Sequence, residues 1–311
     1  MNKQPILSIC IPIYNRLSYL ERMLSRFMED KDLFGDKVHL FISDNCSREN
    51  LSGCCEKFQR DGLLFEYNRN EENLGPDRNF EICFQHGRGE YTWLLGSDDI
   101  PVSGFIRKMI CCLECHDYGL FHLSMKKSSA NLTEYHDNNE MAVAVNYWIT
   151  FMSANIIRTD SLQHIKTDHY RNTNLIQVPV FLNACLTATE NAIYYDGYPF
   201  EKGSDSRNNG GYHLFQVFIS NLFRIYEMFV KKGLLSEESF YKIKKIEFKE
   251  FLVNWILSLL IFKSNHSFET TGSWHILWKY YGRSPYAYWS LFKGMMSSGM
   301  IFLKLHVNKW V

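Results

Sequence analysis

The chain has 311 residues, 46% hydrophobic and 22% charged, with 34 basic against 34 acidic residues. This is a globular composition, enough for one large domain or a domain plus an appendage. Balanced charge excludes the basic face of a nucleic-acid binder, and nine irregularly spaced cysteines exclude a disulfide framework.

Ile6 to Ile13 is an apolar run broken only by Ser8 and Pro12, which predicts a strand buried on both faces. The residues before it, Met1-Asn2-Lys3-Gln4, have no leader-peptide character, so reduced thiols in the cytoplasm are expected. Tyr14-Asn15-Arg16 turns the chain, and Tyr19, Leu20, Met23, Leu24 and Phe27 recur at helical spacing. Val38 to Ser43 predicts a second strand ending at Asp44-Asn45, Leu51 to Arg60 a helix, and Leu63 to Tyr67 a third strand. A polar loop over Asn68 to Arg78 follows, then a helix over Phe80 to His86 and a fourth strand over Tyr91 to Leu95. Strands alternating with helices predict a mostly parallel sheet, helices on both faces and strand ends at one edge.

Phe105 to Cys115 has helical spacing. Cys112-Leu113-Glu114-Cys115-His116 matches a haem-attachment pattern in form only, and buried thiols are expected there. Leu120 to Met125 and Ala142 to Ile157 are expected to continue the sheet, and Val178 to Leu186 to form a buried helix. From Tyr212 the pattern is helical, so residues 1–211 are expected to form one domain and 212–311 a helical region. Its end interleaves Trp274, Trp278, Tyr280, Tyr281, Tyr286, Tyr288, Trp289, Phe292 and Trp310 with Lys279, Arg283, Lys293, Lys304 and Lys309. That mixture suits a membrane interface, the alternative being an aromatic core. The expected location is the inner face of the cell membrane, held peripherally.

Chemistry concentrates at Trp93-Leu94-Leu95-Gly96-Ser97-Asp98-Asp99-Ile100. Two carboxylates at a strand tip suit Mn²⁺ or Mg²⁺ and the phosphates such ions clamp. The alternative is an exposed Asp-Asp turn before Pro101.

Ile11-Pro12-Ile13-Tyr14-Asn15-Arg16, Ile42-Ser43-Asp44-Asn45-Cys46-Ser47, Asn73-Leu74-Gly75 with Arg78-Asn79, and Leu94-Leu95-Gly96-Ser97-Asp98-Asp99 follow one another in an order that, over residues 6 to 160, resembles family 2 glycosyltransferases. The first is similar to the opening strand and nucleotide-contacting loop, and the second to the second-strand motif. The third resembles the third loop, and the fourth the approach to a metal-binding D-x-D. The resemblance implies a GT-A fold, an α/β architecture. It implies a donor nucleotide site of Pro12, Tyr14, Asn15, Arg16, Asp44, Asn73, Gly75, Arg78, Ser97 and Asp98, and a metal on Asp98 and Asp99. It also implies inverting transfer from a nucleotide-diphosphate sugar to a lipid-linked saccharide, as in O-antigen or capsule assembly.

Two departures stand out. Gly96 occupies the first Asp of D-x-D. No acidic pair precedes the helix that follows Asn155-Ile156-Ile157-Arg158, since Leu175-Ile176-Gln177-Val178-Pro179 carries none. Asp168 is then the expected base, with Asp160, Glu190 and Asp196 as alternatives. A nucleotidyltransferase would need an early Gly-rich basic loop, which Pro12-Ile13-Tyr14-Asn15 is not. A non-catalytic sugar-nucleotide or membrane-binding module is the other alternative.

Overall fold

A computed structural model describes residues 4–197, 199–201 and 211–307. It divides into two compact units, residues 1–205 and 206–311.

In chain order the first unit runs β1 (Leu7–Ile13), α1 (Leu17–Met28), β2 (Val38–Asp44), α2 (Leu51–Arg60), β3 (Glu66–Arg69), α3 (Gly75–Gln85) and β4 (Tyr91–Leu94). It continues with α4 (Phe105–Leu113), β5 (Leu120–Leu123), β6 (Lys127–Tyr135), α5 (Asn138–Val145), β7 (Asn155–Arg158), α6 (Gln177–Thr187) and β8 (Asn191–Asp196). The eight strands form one sheet in the order β3-β2-β1-β4-β7-β5-β8-β6. The first four are mutually parallel. β7 is antiparallel to both β4 and β5, β5 and β8 are parallel, and β6 is an antiparallel edge. All seven residues of β1 are buried, as a central strand covered on both faces requires. Leu20, Met23, Leu24 and Phe27 of α1 form the apolar stripe packed on that sheet.

Several elements differ from expectation. The third strand begins at Glu66, where pairing with Phe41 starts, rather than at Leu63. α3 opens at Gly75, because Pro76 is compatible with a first helical turn, and this shortens the polar loop. Ala142 to Ile157 contributes only the start of β7 to the sheet; the rest is the end of α5 and two 3₁₀ segments, Asn146–Thr150 and Met152–Ala154. The expected Leu120 to Met125 strand is β5, and the helix at Val178 to Leu186 is α6, buried along nearly its whole length. Cys111 and Cys115 are exposed and Cys112 is partly so, not buried as expected. They lie off the stripe Phe105, Ile106, Met109, Ile110 and Leu113 that faces the core.

The second unit is helical: α7 (Leu222–Lys231), α8 (Glu237–Glu247), α9 (Val253–Trp255), α10 (Ser273–Tyr281) and α11 (Pro285–Val307), with π-helical turns at Gln216–Asn221, Phe248–Leu252 and Ile256–Ile261. Its core is aromatic. Phe223 packs on Phe240, Tyr280 and Tyr281, and the Lys244 ammonium lies 5.1 Å from the Phe223 ring centre. Among the described residues no helix is long and apolar enough to cross a membrane.

Candidate active site

The site begins where β1 and β4 part. Cys10 turns its carbonyl toward β4 and accepts the Leu95 N–H at 3.0 Å. Main-chain groups two residues apart on a strand face the same neighbour, so Pro12 faces β4 too. Proline has no N–H to offer there, and β1–β4 pairing has already ended at Cys10 and Leu94. A crevice at the carboxyl ends of parallel strands, where strand order reverses, is where open α/β sheets bind ligands. Pro12 is buried and shapes this crevice from within, while Tyr14 at its mouth is exposed. Asn15 takes a left-handed conformation (φ 50°), which asparagine tolerates. Its N–H donates to Ser47 Oγ at 2.9 Å and its Oδ1 accepts the Arg48 N–H at 2.7 Å. The two loops are thereby joined.

Across the crevice lie the carboxylates. Arg16 Nη1 sits 2.7 Å from Asp98 Oδ1 and donates to Ser97 Oγ at 3.4 Å. Asp99 turns inward and accepts the Ser153 hydroxyl at 2.6 Å, while the same Ser153 Oγ accepts the Gly96 N–H at 2.8 Å. A β-carbon on Gly96 would stand 2.6 Å from Asp99 Oδ2 and 3.0 Å from Ser153 Oγ. The Asp99 carboxylate therefore fills the space a side chain at 96 would need, which accounts for glycine there. Burial, with the Asp98 charge adding to it, pushes the Asp99 carboxyl up to about 6, against the hydrogen bond from Ser153. An exposed Asp-Asp turn is excluded for Asp99 by that inward bond to Ser153.

Among the described residues no three His, Cys, Asp or Glu side chains are grouped to hold a metal ion. Asp98 and Asp99 nonetheless make a donor set that fits one. Mg²⁺-like ions are commonly held by one or two carboxylates and complete their shell with substrate phosphates and water.

Asp44 ends β2 and is 1% exposed. Its Oδ1 accepts the Ser47 N–H at 2.8 Å and its Oδ2 the Tyr67 hydroxyl at 2.7 Å, with Arg69 Nε 3.5 Å away. Beside it runs a chain of amides. Asn45 donates to Asn73 Oδ1 at 2.8 Å, Asn70 to Asn79 Oδ1 at 3.2 Å, and Ser43 to the same Asn79 Oδ1 at 2.6 Å. Asn73 Oδ1 also takes the N–H of Gly75 at 2.9 Å, and Gly75 has a φ of 78° that suits glycine. Asn73 and Gly75 therefore hold the third loop against β2. Arg78 is about half exposed and lies 3.5 Å from Glu81.

Asp168 lies in a 3₁₀ turn, 66% exposed, and pairs with Arg171 at 2.7 Å. Arg171 also grips the buried Glu81 of α3. Asp168 thus belongs to a cluster built on α3 rather than on the Gly96–Asp99 turn. Of the alternatives, Asp160 sits in the Thr159–His164 turn and Asp196 ends β8, while Glu190 lies 3.7 Å from His136.

Sequence reading missed Ser153, Tyr67, Ser47 and Asp77. Asp77 Oδ2 accepts the N–H groups of Thr173 and Asn174 at 3.1 and 3.2 Å, fixing the loop before α6, and burial raises its carboxyl. The density of asparagine between positions 45 and 79 was a usable signal for the amide chain. Nothing local marks Ser153, which acts through a contact 57 residues back along the chain.

Comparisons with known proteins bear on the family and the fold. A family model described as glycosyl transferase family 2 matches residues 8–180. Abequosyltransferase RfbV of Salmonella typhimurium is 37% identical over 95 residues, 30% of this chain and 28% of that protein. An uncharacterized protein of Mycobacterium tuberculosis is 29% identical over 108 residues, 34% of this chain and 32% of that one. The chain thus spans under a third of the length of the curated relatives it matches. S. aureus TarS 1-349, solved also with UDP and with UDP-GlcNAc, superposes with a TM-score of 0.63 at 15% identity, covering 82% of this chain and 75% of that one. Mannosyltransferase PcManGT from Pyrobaculum calidifontis, in complex with GDP-Man and Mn²⁺, gives 0.50 at 12% identity, covering 96% and 87%. At such identities the structural likenesses establish the fold, which is GT-A. The family match spans more than half of the chain, and this protein belongs to glycosyl transferase family 2.

Proposed function

We propose that this glycosyltransferase is metal-dependent and inverting, and moves a sugar from a nucleotide-diphosphate donor to a lipid-linked saccharide of a surface polysaccharide such as O-antigen or capsule. The observation that carries the metal-dependent reading is the Gly96–Asp99 exchange. Where the family's first aspartate is replaced by glycine, the Asp99 carboxylate occupies the vacated space beside Asp98. The turn therefore keeps two adjacent carboxylates, Asp98 beside Arg16 and Asp99 beside Ser153. A divalent ion bound there supplies Lewis acidity to a diphosphate leaving group.

The chain's own groups do the positioning. Arg16 orients Asp98, and Ser153 holds both Asp99 and the Gly96 main chain. Tyr14 offers an exposed ring for a base to stack on, and Asp44, at the end of β2, is the expected contact of the donor base. Ser97 and Arg78 are the further donor contacts in this reading, and Asp168 is the candidate base. A base must reach the acceptor hydroxyl, so Asp168→Asn should lower transfer and leave donor binding intact. The abequosyltransferase relative supports an O-antigen-type substrate, and the nucleotide sugars in the TarS and PcManGT complexes support the donor class.

The membrane part of the reading rests on the second unit. Trp274, Trp278, Trp289 and Phe292 are all at least half exposed, and Trp278 is 70% exposed. From Thr270 to Val311 the chain has five Lys or Arg and no Asp or Glu. An exposed aromatic face with only positive charge matches an anionic bilayer surface. Replacing Trp278, Trp289 and Phe292 by serine should release the protein from phosphatidylglycerol vesicles in a flotation assay, and unchanged flotation refutes the assignment.

The decisive test of the enzyme reading is donor hydrolysis with Mn²⁺ or Mg²⁺ over a panel of UDP-, GDP-, CDP- and dTDP-sugars. Hydrolysis of one donor, lost in Asp98→Ala, is expected. Hydrolysis indifferent to the metal and to Asp98 rejects the metal site.

A further inference from the structure

We infer that the carboxyl edge of β5 and β8 carries a saccharide subsite for the acceptor, a carbohydrate ring seated on Trp148 with a hydroxyl held by His122. This deepens the transferase reading above and rests on it for the word acceptor; the carbohydrate site itself does not depend on that reading.

Topology places the subsite. Trp93, Ile156, Phe121 and Ala192 lie at one level across β4, β7, β5 and β8. β4 and β5 are both antiparallel to β7, so they run in the same direction. The residues that follow Phe121 therefore emerge at the same edge as Gly96 to Asp99. Two strand spacings, with β7 between them, separate β4 from β5, so the ends of the two strands lie about 10 Å apart along one edge.

A cavity of about 130 Å³ opens at that edge, lined among others by His122, Ser124, Lys126, Trp148, Ile193 and Tyr195. It is smaller than the roughly 300 Å³ of a site for a whole drug-sized ligand, so it takes part of a ligand, on the scale of one pyranose. Its composition is that of a sugar site. Broad aromatic faces meet the C–H face of the ring, and a few polar groups meet its hydroxyls.

The tautomer of His122 is fixed by its neighbours. Asn155 Nδ2 donates to the carbonyls of Phe151 at 2.8 Å and Ile149 at 3.3 Å. The amide orientation is thus set, and Asn155 Oδ1 must accept. Nδ1 of His122, 2.9 Å away, is the donor to it. Nε2 then carries the lone pair and accepts from a ligand hydroxyl. Burial lowers the imidazole to about 4, so it stays neutral at physiological pH. His122 is 4% exposed, which identifies it as a built-in group rather than a surface one.

The same asparagine ties the subsite to the carboxylates. Its two carbonyl partners follow closely on Trp148, and it lies two residues after Ser153, which holds Gly96 and Asp99. One short segment, residues 149–155, therefore positions both halves of the reaction.

The test uses the full-length protein and methyl glycosides of galactose, mannose, rhamnose and N-acetylglucosamine at millimolar concentration, read by saturation-transfer NMR. At least one glycoside should bind, and Trp148→Ala and His122→Phe should each weaken it about tenfold. Donor hydrolysis, measured separately, should be unchanged in Trp148→Ala; His122→Phe, which frees Asn155, is read for glycoside binding alone. A buried histidine risks misfolding, so the melting profile is checked, and if His122→Phe does not fold Trp148→Ala alone decides. A wild-type protein that binds no glycoside, or folded variants that bind as well as wild type, overturn the subsite. Loss of donor hydrolysis in the wild type would instead count against the transferase chemistry, and glycoside binding lost in the variants would still support the subsite.

Discussion

The two halves of the sheet are built on different principles. In the β3-β2-β1-β4 half, the parallel strands β1, β2 and β4 are buried and their polar tips are adjacent in sequence to the apolar runs that end in them. In the β7-β5-β8-β6 half, directions are mixed, β5 and β8 being parallel between antiparallel neighbours, and the polar groups sit inside the strands or in turns far away in sequence. The first half is expected to hold the donor and the second the acceptor. The contrast shows that a site made of strand tips can be read along the chain, whereas one made across strands cannot.

The sharpest test of this division is Asp98→Ala. Removing a charged ligand of the leaving group's counter-ion should cost on the order of 10²–10³ in rate, and equally in donor hydrolysis and in transfer. A loss confined to transfer would break the division, because the first half would then be reading the acceptor. Gly96→Ala should come next. Its β-carbon would meet Asp99 Oδ2 at 2.6 Å, so the carboxylate or Ser153 must shift. A displacement of about 1 Å at a reacting centre can cost about 10²-fold. Wild-type hydrolysis in that variant would show that Asp99 takes no part.

The elements legible in the sequence were those with continuous apolar runs or clear helical stripes: β1, β2, β4, β5, α1, α2, α4 and α6. Because β1, β2 and β4 are parallel neighbours, the residues after them, Asn15, Asp44 and Asp98, lie at one edge. β6 escaped because it is an exposed edge strand, with Ser128, Ser129 and Asn131 turned to solvent and no apolar run to betray it. Ser153 and His122 escaped for another reason. Each acts through a hydrogen bond to a residue more than thirty positions away, to Asp99 and Asn155 respectively, and no local pattern encodes such a pair. The replacement of Asp by Gly at 96 looked like a weakened motif. Only the fold shows that Asp99 occupies that space.

The pH response of Asp99 tests its burial apart from catalysis. Its folded value, about 6, lies above its ordinary 3.8, so folding favours the neutral form. The stability this group lends is therefore complete below about pH 4 and is lost as pH rises through about 6. With chelator present, wild type should lose up to about 3 kcal/mol against Asp99→Asn over that window, at about 1.4 kcal/mol for each pH unit between the ordinary and the folded value. Adding Mn²⁺ above pH 6 should reverse the order, because the ion favours the carboxylate. Parallel melting curves for the two proteins at pH 4 to 7 would exclude a buried Asp99.

The mildest expected effect concerns Asp44, and it separates structural from donor roles within the first half. Tyr67→Phe removes one hydroxyl from Asp44 Oδ2 and leaves the Ser47 N–H and Arg69 in place. A single hydrogen bond to a charged group contributes about 1.5–3 kcal/mol. Asp44 is so enclosed that no water readily replaces the hydroxyl, and the melting temperature should fall accordingly. Donor affinity is the informative readout. If Asp44 contacts the donor base, freeing its Oδ2 leaves that oxygen available to the base, and donor binding should hold or tighten slightly while stability drops. If Asp44 only braces the loop at Ser47, stability and donor affinity should fall together. Isothermal titration of UDP into the wild type and this variant, beside their melting curves, distinguishes the two. A carboxylate that is 1% exposed and already holds two donors is equally suited to either role by geometry, and the sign of that affinity change is what assigns it.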